Sequence, residues 1–140
     1  MSSQPESKLS RAIKAMIRAN GGYCIKIHGG PTMEAGTPDI LACIPCLVDV
    51  AVPDGIGLAC EEQIIGRFVG IETKTPENHR DDKDGSPIQQ YRAEQIGHAG
   101  GVVIIPAKSV QQVSEALDAM GWVRRAPYTL KARQRASEGP

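Results

Sequence analysis

FVGIETKTPENHR, residues 68–80, starts as an apolar strand and turns abruptly charged. Phe68, Val69 and Ile71 suit a sheet interior, yet Glu72 and Lys74 follow two residues apart before Thr75-Pro76 and a polar loop. Side chains alternate across a strand, so Glu72 and Lys74 share one face while Ile71 and Thr73 take the other. An acid and a base at the end of a core strand are expected only where they are paired or bound to something. A magnesium-type ion is one such partner, because it takes hard oxygen ligands from one or two carboxylates plus water and phosphate. A second carboxylate, Asp39, opens an earlier strand after Thr37-Pro38. If the two strands are neighbours, Asp39 and Glu72 reach one cation and Lys74 faces the phosphate it polarises.

The elements around this stretch fall into an α/β order. Pro5 starts a helix, with residues 3 and 4 as its cap region, and Leu9, Ile13, Met16 and Ile17 form its apolar face. YCIKI (23–27) and DILACI (39–44) read as strands, separated by a loop at His28 to Thr32. Residues 45–66 read as an inserted hairpin turning at Pro53-Asp54-Gly55, and its role is open between a dimer contact and a substrate-facing flap. PENHRDDKDG (76–85) reads as a mobile loop. Ser86-Pro87 caps a helix carrying Ile88, Tyr91 and Ile96, Val102 to Ile105 is a buried strand, and Ser109 caps a last core helix closed by Gly121. The expected architecture is a small mixed sheet flanked by helices over residues 1–121, followed by a loosely held basic tail at 122–140.

Charge is distributed unevenly although the formal net charge is zero. No Lys or Arg lies between Ile27 and Gly66, where Glu34, Asp39, Asp49, Asp54, Glu61 and Glu62 occur. Bases gather at Lys8, Arg11, Lys14, Arg18 and Lys26, and again at Arg124, Arg125, Lys131, Arg133 and Arg135. Such a pattern suits a cation site approached by a polyanion, and equally a solvated surface. No run reaches the roughly 20 apolar residues of a membrane span, and MSSQPESKLS has no apolar signal core, so a cytoplasmic location is expected. Cys43-Ile-Pro-Cys46 has the spacing of a zinc half-site, with Cys60 and either Cys24 or a histidine to complete it, and cysteine is also a common small core residue.

Gly36-Thr-Pro-Asp39, Gly70-Ile-Glu72-Thr-Lys74 and Ser86-Pro-Ile-Gln89 together resemble the PD-(D/E)xK nuclease superfamily. More narrowly the chain is similar to the VRR-NUC family, in the order Glu6, Lys26-Ile-His28-Gly29, Asp39, Glu72, Lys74, Gln89, with the resemblance running from about residue 5 to residue 120. The long 45–66 segment departs from compact members. The resemblance implies a restriction-endonuclease-like core and Mg2+- or Mn2+-dependent hydrolysis of phosphodiester bonds in DNA. Asp39, Glu72 and the Thr73 backbone carbonyl would be metal ligands, with Glu6 a further one. Lys74 would position water and stabilise transition-state charge, and Gln89 would orient Lys74 or the water. Lys26, His28, Arg11 and Lys14 are candidate nucleic-acid contacts. Stand-alone relatives of this size imply a homodimer acting on branched DNA such as Holliday junctions, in a bacterial cell or phage-infected host. Two rival readings are a non-catalytic DNA-binding module on the same fold and a zinc-stabilised interaction domain.

Overall fold

The apolar face expected of the first helix decides what the sheet packs against. The structure, a computed structural model, describes residues 5–29, 33–74 and 85–139, the side chains of 5 and 6 excepted. In α1 (Pro5–Ala19), Ile13 and Ile17 are fully buried, with Leu9 and Met16 packed beside them. Four strands follow: β1 (Tyr23–Lys26), β2 (Ile40–Pro53), β3 (Leu58–Thr73) and β4 (Val102–Ala107). They lie in the order β1-β2-β3-β4, the first three antiparallel and β4 parallel to β3, which makes the sheet mixed. Parallel neighbours require a crossover, and α2 (Pro87–His98) provides it between β3 and β4.

Alternation sorts the two faces. Ile40, Ala42, Ile44 and Cys46 of β2 share a face with Val69 and Ile71 of β3, and all are buried against α1 and α3 (Val110–Ala119), whose Val113 and Leu117 are fully buried. Burying this set removes several branched side chains from water at about 2 kcal/mol each, before the entropy of ordering them. The opposite face is thin. Phe68 is partly exposed, and α2 buries none of its residues, so the expected apolar face of Ile88, Tyr91 and Ile96 packs only loosely. By the same alternation Glu72 shares this face with Phe68 and Gly70.

Two regions differ from expectation. The hairpin expected at 45–66 forms with its turn after Pro53, but it is not a separate insertion. β2 and β3 run on without a break, from Pro45 opposite Gly66 to Pro53 opposite Leu58, as one two-stranded ribbon. Its turn is tied by the Asp54 carboxylate, whose Oδ1 accepts from the Ile56 and Gly57 amides at 2.9 and 2.7 Å. Near the ribbon's base, Gly121 to Val123 run beside β2: the Leu47 amide donates to the Gly121 carbonyl at 3.0 Å, and the Val123 amide to the Pro45 carbonyl at 2.8 Å. The basic tail carries a helix not expected from sequence, α4 (Leu130–Glu138), capped by Thr129 and burying none of its residues. The cap region at residues 3 and 4, part of the 28–32 loop and nearly all of the 76–85 loop lie outside the described residues. No helix among the described residues is long and apolar enough to cross a membrane.

Candidate active site

Pairing of β2 with β3 fixes the two acids. Ile40 lies opposite Ile71, so the next step outward brings Asp39 across from Glu72. The Ile27 amide donates to the Asp39 carbonyl at 2.7 Å, extending the β1–β2 ladder to the same level. Gly70 makes room for the Pro-Asp step. A Cβ there would meet the Pro38 ring at 2.7 Å, so only a bare backbone lets Pro38 lie across β3 and set down Asp39 beside Glu72. Gly36 serves the loop before it: its φ of +82° and close approach to the Ile88 carbonyl let residues 33–37 rest on α2. There Arg92 Nε donates to the Ala35 carbonyl at 3.0 Å.

Asp39 is held from two directions. Its Oδ2 accepts from the Thr73 amide at 3.0 Å and from the Thr73 hydroxyl at 2.7 Å. Its Oδ1 faces Lys26 Nζ at 3.8 Å. Besides the carbonyl expected of it as a ligand, Thr73 orients the Asp39 carboxylate through its side chain and amide. The hydroxyl's role is foreshadowed only by a buried polar residue wedged between Glu72 and Lys74. Glu72 is 6% exposed, and its carboxyl is pushed up to about 7 by burial first and by the neighbouring Asp39 carboxylate second, with the Lys74 ammonium opposing both.

Gln89 completes the cluster by a local device. Ser86 caps α2: its hydroxyl accepts from the Gln89 amide at 3.3 Å while Gln89 Oε1 accepts from the Ser86 amide at 2.9 Å. Because a backbone N–H can only donate, this box assigns Oε1 and leaves Nε2 pointing outward. Nε2 donates to Glu72 Oε1 at 2.9 Å. Gln89 thus touches the acid itself, where Lys74 or the water was the partner expected from sequence. Lys74 leaves the sheet edge where the β3–β4 register shifts, anchored by its amide on the Ala107 carbonyl at 3.0 Å.

The donor set fits a small hard cation. Two carboxylates are crowded together, the ionised form of one disfavoured by burial and by its neighbour, and a divalent charge between them would relieve both penalties. Among the described residues no group of three or more His, Cys, Asp or Glu side chains converges, so water, backbone and substrate oxygens would complete the shell, as magnesium tolerates. The Glu6 side chain lies outside the described residues. A cleft of about 200 Å3, lined by Ile27, Gly29, Met33, Glu34, Gly36 and Thr37 among others, opens onto Asp39. The candidate nucleic-acid contacts Arg11, Lys14, Lys26 and His28 come together around a second cleft.

The zinc reading meets a geometric obstacle. Cys43 and Cys46 are three positions apart on β2, so they point to opposite faces, one exposed and one buried. The spacing that makes a half-site in a turn separates the thiols on a strand.

The sequence matches no family model and no curated protein. Among solved structures, one described as a VRR_NUC domain superposes with a TM-score of 0.51 at 19% identity, covering 83% of this chain and 97% of that one. The chain therefore shares the fold of that domain: a mixed four-stranded sheet flanked by helices.

Proposed function

We propose that this protein is a divalent-metal-dependent nuclease of the VRR-NUC family, hydrolysing phosphodiester bonds in DNA. The observation that carries the reading is the convergence of Asp39 and Glu72 at one sheet edge with Lys74 beside them, on a fold shared with a VRR_NUC domain. Asp39 and Glu72 would hold Mg2+ or Mn2+, with the Thr73 carbonyl and Glu6 as further candidate ligands. Such an ion, when bound, polarises a phosphate oxygen and lowers the pKa of its water. The chain's own residues prepare the rest. Thr73 and Lys26 fix the Asp39 carboxylate, so it does not reorganise during reaction. Gln89 fixes Glu72 and leaves the acid a single orientation. The Lys74 ammonium orients the attacking water and meets the charge that gathers on the phosphoryl oxygens.

A cleavage panel with Mn2+ on single-stranded, duplex, flap and four-way-junction DNA tests this reading, wild type beside Lys74→Ala. Wild type should cut, with branched DNA preferred, and loss of Lys74 should cost roughly 100-fold or more in rate with the fold intact. Equal cutting by both proteins would sink it. Uncut DNA that is nevertheless bound would favour the non-catalytic binding module.

A homodimer belongs to the same proposal, and the ribbon supports it. A two-stranded ribbon is marginal alone in water, and Val48, Val50 and Val52 lie along one of its faces. Between residues 47 and 64 it carries Asp49, Asp54, Glu61 and Glu62 and no base, so it is a poor surface for DNA. Helix α4 carries Lys131, Arg133 and Arg135 and buries no residue. The basic α4 of a second copy is the occupant that matches this acidic, valine-faced ribbon. Sedimentation equilibrium of wild type and Val50→Lys should give a dimer and a monomer; two monomers would contradict the assignment.

A further inference from the structure

The second cleft carries more than scattered positive charge. Ser7, Ser10, Arg11 and Lys14 recur at i, i+3, i+4 and i+7, so they line one face of α1 beside its core face. With Lys26 and His28 they enclose a cleft of about 190 Å3, and among the described residues no carboxylate lines it. Ser10 is only 2% exposed, and its hydroxyl has no hydrogen-bond partner among the described residues. Buried hydroxyls are almost always satisfied, so an orphan on the wall of a cationic cleft marks where a ligand oxygen belongs. Hydroxyl, guanidinium and ammonium donors converging on one small space are the chemistry of a tetrahedral oxyanion. Lys26 joins this cleft to the acids, since its ammonium lies 3.8 Å from Asp39 Oδ1.

We propose that this cleft is a backbone-phosphate subsite, which grips the phosphodiester next to the one being cut on the same strand. The ligand is the phosphate of a nucleic-acid chain, with Ser10 and Arg11 as its close donors and Lys14 as a charge behind them. The subsite's place relative to the cut rests on the nuclease reading; its affinity for a backbone phosphate does not. Binding energy from this non-reacting phosphate would be spent on holding the scissile one in register with Asp39 and Glu72. Ser10 and Arg11 are positioning residues, acting through the substrate's backbone.

The test separates the two readings. Binding of a short single-stranded oligonucleotide is followed by fluorescence anisotropy in EDTA, on the Lys74→Ala background, so no cleavage is needed. A neutral methylphosphonate is walked along the oligonucleotide, one linkage at a time. One linkage should lose roughly tenfold in affinity, and Arg11→Gln or Ser10→Ala should each abolish that position's penalty while weakening the native oligonucleotide. Lys14→Ala should lower the slope of log affinity against log salt by about 1. Circular dichroism of Ser10→Ala checks the fold, and Arg11→Gln, on the helix exterior, gives the same test without touching the core. A penalty that survives in Arg11→Gln would overturn the subsite. So would inorganic phosphate competing as tightly as the oligonucleotide, because the ligand would then be free phosphate. If wild type cuts nothing yet the penalty maps to the cleft, the subsite stands and the nuclease reading falls.

Discussion

Glu72→Gln should change how stability depends on pH, and the sign follows from the site. In the metal-free protein the Glu72 carboxyl is raised from 4.5 to about 7 by burial and by Asp39. Between those values the native protein holds a proton that the unfolded chain has released, so stability falls as pH rises through the window and levels off above about 7. The interval corresponds to about 3 kcal/mol undiminished, and to roughly 2 kcal/mol once the water that still reaches the carboxyl screens it. Urea unfolding in EDTA at closely spaced pH values from 4.5 to 8 reads this directly. The amide that replaces the carboxyl in the variant cannot titrate, so wild type should lose stability relative to it across that range by about 2 kcal/mol. Saturating Mn2+ should flatten the wild-type curve, because the ion takes the place of the proton. Below about 7 the apparent Mn2+ affinity should fall about tenfold per pH unit. Parallel curves for the two proteins from pH 4.5 to 8 would refute the claim that Asp39 and Glu72 are crowded together.

Other outcomes follow from the same contacts. Gly70→Ala drives a methyl into the Pro38 ring at 2.7 Å, and should cost about 1–3 kcal/mol in chemical denaturation and lower cleavage with it. Thr73→Val keeps the amide bond to Asp39 but removes the hydroxyl one; stability should drop about 1 kcal/mol, and the cleavage rate should fall while oligonucleotide binding holds. Gln89→Ala removes one bond of the capping box and the Glu72 contact, whereas Ser86→Ala removes only the other bond of the box. Both should destabilise by about 1 kcal/mol, with only the Gln89 variant losing cleavage out of proportion to stability.

Much of this was legible in the sequence where local rules govern. The period of Leu9, Ile13, Met16 and Ile17, the Ser86-Pro87 cap and the apolar run before Glu72 each constrain their neighbours through backbone geometry, and each forms as expected. That Asp39 faces Glu72 required one assumption, that their strands pair, and the register meets it. What escaped depends on longer reach. The Thr73 hydroxyl bonds a residue 34 positions away, which no local pattern encodes. Gln89 turned to Glu72 because the cap had already claimed its other atom. The hairpin and its turn at Pro53-Asp54-Gly55 were legible, but Pro45 and Pro53 hid that it continues β2 and β3 without a break, which a ribbon open to solvent tolerates. No local pattern singles out Ser10, whose hydroxyl is buried without a partner among the described residues.

The central claim is that the carboxylates at 39 and 72 grip one ion together. Mn2+ binding by electron paramagnetic resonance, on wild type, Asp39→Asn, Glu72→Gln and the double variant, measures it. One ion per chain in wild type, a loss of roughly 100-fold in each single variant and little further loss in the double is the predicted result, because either acid alone leaves the shell incomplete. Undiminished Mn2+ affinity in Asp39→Asn, or losses that simply add, would contradict it.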